Sequence, residues 1–63
     1  MKSYTVNGIT YSSGNNIEVL SGVDEGRIGK IENIYVADGI VSVSVKYGEN
    51  EFSMYQITDI RLI

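Results

Sequence analysis

Between Ile17 and Ile34 a strand-like alternation enters, Gly22, Gly26 and Gly29 interrupt it, and a second alternation leaves. That pattern restricts the chain to short strands joined by tight turns. Gly22 and Gly26 suit a loop that needs positive φ, and Gly29 suits a bend or a close backbone approach. The flanking segments agree. Val41, Val43 and Val45 alternate with Ser42, Ser44 and Lys46, as in a half-buried strand. Ile31 and Ile34 break strict alternation, which predicts a bulge near Glu32-Asn33. Asn7-Gly8, inside Tyr4–Tyr11, is a strong hairpin signal because a type I′ turn needs positive φ at both central residues. Val6 then faces Ile9, Thr5 faces Thr10 and Tyr4 faces Tyr11. The face bearing Tyr4, Val6, Ile9 and Tyr11 is expected to lie on the main body.

The remaining punctuation falls at similar intervals. Ser12–Asn16 reads as a loop, and Ile17 and Val19 as inward positions of a strand. Ser21–Gly29 reads as an irregular turn, followed by a strand over Lys30–Val36. Ala37–Gly39 and Tyr47–Asn50 read as turns, with Phe52 and Met54 facing inward beyond them. Gln56–Asp59 is predicted as one helical turn before a last strand at Ile60–Leu62. Short strands at this spacing point to a sandwich or barrel. For 63 residues the economical solution is an all-β, five-stranded SH3-like barrel with an added N-terminal β-hairpin. The expectation is a single domain over residues 1–63, with the hairpin and loop in 1–15 and the barrel in 16–63.

A chain this short buries only about 60% of its unfolded surface, so its core is marginal. It has no Cys and no His, which excludes disulfides and Cys/His metal sites. No cofactor is implied. A hydrophobic content of 43% is enough for a packed core. The net charge of −3 disfavours polyanions, whose affinity comes largely from Lys and Arg on phosphates. There is no signal-peptide pattern and no run long enough for a membrane helix. The expected location is the cytoplasm.

The stretch Ile17-x-Val19-Leu20-x-Gly22-x-x-x-Gly26-Arg27-x-Gly29-Lys30-Ile31-x-x-Ile34 resembles a KOW motif. Such motifs occur in ribosomal proteins and in the NusG family of transcription elongation factors. The resemblance covers residues 16–63, and it implies an SH3-like barrel. In ribosomal members the loop is rich in lysine and touches RNA phosphates. Here Arg27 and Lys30 keep positive charge, but Val23 and Glu25 stand where lysine is common and Asp24 adds an acid. NusG-type domains also bind proteins, which suits an acidic version better.

Other constellations are weaker. Gly29-Lys30 is not a phosphate loop, because Asp24 stands where the first glycine belongs and Ile31 where Ser or Thr belongs. Asp24-Glu25 and Glu49-x-Glu51 read as solvated turn residues rather than an acid/base pair. Among the tyrosines, Tyr4 and Tyr11 read as the seal of the hairpin. Tyr35, Tyr47 and Tyr55 lie off the inward positions and are candidates for partner contact. Arg27, Lys30, Lys46 and Arg61 form a basic stripe if their strands are neighbours, or else serve as solvated edges. Residues 52–57 and 59–63 also resemble the end of plasmid-type dihydrofolate reductases, which are tetrameric SH3-like barrels. Tyr55 matches their tyrosine, while Ser53 replaces their glutamine.

The first reading is therefore a non-enzymatic module that docks on a protein partner, in transcription or translation. Its expected contacts are Arg27, Lys30, Tyr35, Lys46, Tyr47 and Tyr55. The second reading is an RNA- or DNA-binding KOW domain, and the third a reductase-like enzyme. A phage or other mobile element is a possible source of such a chain.

Overall fold

Asn7 and Gly8 take φ values of 50° and 80° and turn the chain back on itself. In this computed structural model, which describes residues 1–63, they join β1 (Ser3–Val6) to β2 (Ile9–Ser12). Tyr4 lies opposite Tyr11 and Val6 opposite Ile9, the register that the sequence predicts. On the other face the Thr5 and Thr10 hydroxyls hydrogen-bond at 2.7 Å.

Five further strands form a second antiparallel sheet. They are β3 (Asn16–Val19), β4 (Ile28–Ala37), β5 (Ile40–Gly48), β6 (Glu51–Gln56) and β7 (Ile60–Leu62). Their spatial order is β6-β5-β4-β3-β7, and a 3-10 turn, Ile57–Asp59, links the two edges β6 and β7. Asp38 and Gly39 close the β4–β5 hairpin at φ 52° and 76°. The register between β4 and β5 shifts between Ile31 and Asn33, at the predicted bulge. The bulge restores an inward direction to Ile34 after Ile31.

One apolar cluster holds the molecule together. Ile17, Val19, Ile31, Ile34, Val41, Val43, Val45 and Ile60 are buried beside Tyr11 of the hairpin. Tyr4 and Val6 pack against the same cluster, so the hairpin covers the inner face of the sheet. The Ile34 N–H donates to the Met1 carbonyl and the Ser13 N–H to that of Lys2, which fix the hairpin's approach.

Several expectations need correction. Phe52 and Met54 face outward, at 51% and 60% exposure, not inward. The cause is register: Ser53 and Tyr55 lie opposite Val45 and Val43, which face the core. A second bulge, between Lys46 and Gly48, sets that register. Tyr47 therefore belongs to β5 rather than to the turn. Gly29 belongs to β4, opposite Ile17, rather than to the preceding loop. Ile9, expected to lie on the body with Tyr4, Val6 and Tyr11, remains 47% exposed.

Candidate interaction surface

The glycine-rich loop is anchored at its base. Gly22 and Gly26 both adopt φ 87°, which lets the Gly26 N–H reach the Val19 carbonyl at 2.7 Å. The Leu20 N–H donates to the Asp59 carbonyl at 2.8 Å. Val23 projects from the loop fully exposed.

Asp24 is not a solvated turn residue. Its Oδ2 accepts a 2.7 Å hydrogen bond from the Tyr55 hydroxyl. The Tyr55 oxygen is in turn bonded to the Tyr47 hydroxyl. A phenol has one proton, so Tyr47 donates to Tyr55 and Tyr55 donates to Asp24. Burial first, and with it the bond that Tyr55 donates to Asp24, pushes the Tyr55 phenol far above its ordinary range. Arg27 completes the clamp. Its guanidinium carbon lies 3.8 Å from the centroid of the Tyr47 ring, and the group is ion-paired to Glu51 and, at 3.9 Å, to Asp24. The hydrogen bond to Glu51, opposed by desolvation, raises the Arg27 pKa.

This arrangement divides the six expected contact residues. Tyr47, Tyr55 and Arg27 form the clamp, and their polar groups are engaged within the protein. Lys30 and Lys46 lie directly opposite each other on β4 and β5. Neither is ion-paired, and Lys46 Nζ lies 5.8 Å from the centroid of the Phe52 ring. Tyr35 stands apart on β4, opposite Ser42 and 46% exposed. Arg61 does not join the stripe, because it pairs across β3–β7 with Glu18 at 2.6 Å.

The outer face of β4–β5–β6 can be read in rows across the register. One row is Lys30, Lys46 and Phe52; the next is Asn33, Ser44 and Met54; the third is Tyr35, Ser42 and Gln56. Exposed Ile40 extends the face toward the β4–β5 turn. Sequence reasoning missed Phe52 and Met54 here, because only the bulge at Tyr47 reveals which side of β6 they occupy. Lys30 and Lys46 also line the larger concavity of the surface, a groove of about 530 Å³ whose other lining residues include Ser13, Asn16 and one carboxylate, Glu32.

No set of three or more acidic side chains converges to hold a metal ion. No helix is long and apolar enough to cross a membrane. No protein-family model matches the chain, and no curated protein shows significant similarity to it.

Proposed function

We propose that this protein is a small binding module that docks on another protein through the outer face of β4–β5–β6. The observation that carries this reading is the uncovered side of the sheet's three longest strands. Tyr35, Ile40, Phe52 and Met54 are exposed there, while the hairpin covers the opposite face. Exposed aromatic and Met side chains among short polar ones have the composition of a recognition surface. The strand order, with a 3-10 turn before the last strand, supports an SH3-like arrangement, and the KOW-type loop rests on the sequence resemblance alone. Transcription or translation in the cytoplasm is the setting that resemblance suggests. A protein partner is favoured over nucleic acid because Arg27, the loop's own cation, is held between Asp24 and Glu51.

The test is affinity capture from native host lysate after nuclease treatment. Tyr35→Ala and Met54→Ser should lose the captured protein with only a small drop in the unfolding midpoint, since the two side chains are 46% and 60% exposed. Capture that survives both substitutions, or vanishes with nuclease, overturns the reading.

A further inference from the structure

Lys30 and Lys46 occupy opposing positions on neighbouring strands. Like charges placed directly opposite destabilise an antiparallel pair. The protein has more carboxylates than cations, eight against five, yet none lies within ion-pair distance of either lysine. Both arginines are paired. The two lysines thus form a concentrated positive spot on an acidic protein. They lie at the lip of the groove and in one row with exposed Phe52.

We infer that the partner of this face presents an acidic segment, with carboxylates seated on the Lys30–Lys46 pair and an apolar side chain against Phe52 and Met54. The inference rests on the docking role proposed above and adds the partner's chemistry. Charge complementarity selects this occupant. A second copy of the chain is disfavoured, because each carries a net charge of −3. A nucleic acid gains little, because only two adjacent free cations are on offer. A carboxylate between the ammonium groups removes their mutual repulsion, and the contact steers association by charge as well as holding it.

The experiment has a ligand-free arm and a binding arm. In the first, Lys30→Gln is compared with wild type by denaturant unfolding at low salt. Removing one like charge should leave the midpoint unchanged or raise it. A lowered midpoint would show that the pair is structural and would overturn the inference. In the second, a short peptide alternating Glu and Val is titrated into the protein and followed by NMR, beside matched peptides carrying Gln or Lys and a single-stranded oligonucleotide. The Glu peptide should shift Lys30, Lys46 and Phe52 signals, weaken as salt rises, and lose about tenfold or more in affinity in the Lys30→Gln/Lys46→Gln variant. No shift, an equal response to the Gln peptide, tighter binding of the oligonucleotide at the same lysines, or self-association through this face would each overturn it. Failure of the underlying docking role is read separately. If capture is lost with Tyr35→Ala but unaffected by the double lysine variant, the docking face stands and the acidic partner falls.

Discussion

At the scale of single residues, Gly29 and Tyr55 carry the sharpest consequences. A Cβ on Gly29 would lie 2.6 Å from Val45 Cγ1 and 3.0 Å from both the Lys46 carbonyl oxygen and Tyr47 Cδ1. The Val45 methyl belongs to a fully buried side chain and the carbonyl to the strand itself, so neither gives way easily. Gly29→Ala should therefore destabilise by about 1–3 kcal/mol, the range of overpacked cores, and denaturant midpoints would register it. The sequence signalled that glycine as a bend or a close backbone approach but not its partner: the approach is to β5, which only the fold brings near. Tyr55 acts through its proton. The fold favours the neutral phenol, so its contribution is complete below the unfolded phenol's pKa of about 10 and is lost as pH rises above it. In an alkaline titration followed by tyrosinate absorbance, one tyrosine should ionise last, close to the pH of unfolding. Tyr55→Phe should abolish that late step and cost about 1 kcal/mol at neutral pH. A late step that persists in Tyr55→Phe would refute the assignment.

At the scale of elements, legibility depended on whether a feature was written in one segment or in two. The Asn7-Gly8 hairpin is local, and its register was readable residue by residue. The bulge beside Glu32 was readable from the Ile31–Ile34 spacing alone. The bulge at Tyr47 was not, because Tyr47 and Gly48 look like the start of a turn. Missing it reversed β6, since a one-residue slip sends every side chain to the other face. The outward placement of Phe52 and Met54, central to the candidate surface, was therefore hidden. The clamp was hidden for a related reason: Asp24, Arg27, Tyr47, Glu51 and Tyr55 come from three segments. It joins the glycine-rich loop to β5 and β6. Asp24→Ala should loosen the loop without opening the sheet. Native-state hydrogen exchange would show the Glu25, Gly26 and Arg27 amides, bonded to Gly22, Val19 and Asp24 carbonyls, losing protection. The β5 amides should keep theirs; equal losses in both regions would mean that the clamp supports the whole sheet.

At the scale of the whole molecule, the distribution of charge matters more than its sum. The chain has five cations against eight carboxylates. Arg27 is tied to Asp24 and Glu51 and Arg61 to Glu18, leaving Lys2, Lys30 and Lys46 without ion pairs. Of these, Lys30 and Lys46 are neighbours on one face. A single-stranded nucleic acid that used this pair could neutralise two phosphates, which sets the logarithmic salt slope of binding at about −1.4. The surrounding negative charge opposes even that attraction. Fluorescence anisotropy with a labelled oligonucleotide should accordingly detect no binding at physiological salt, and at low salt only weak binding with that shallow slope. A slope of about −2.1 would require a third phosphate contact, one more than the lysine pair offers. Such a result would mean that Arg27 leaves its clamp to meet the nucleic acid, and Arg27→Ala would then flatten the slope. A shallow slope that Arg27→Ala leaves unchanged would fit the protein-docking role instead, because the loop's cation would be holding the loop to the sheet rather than meeting a polyanion.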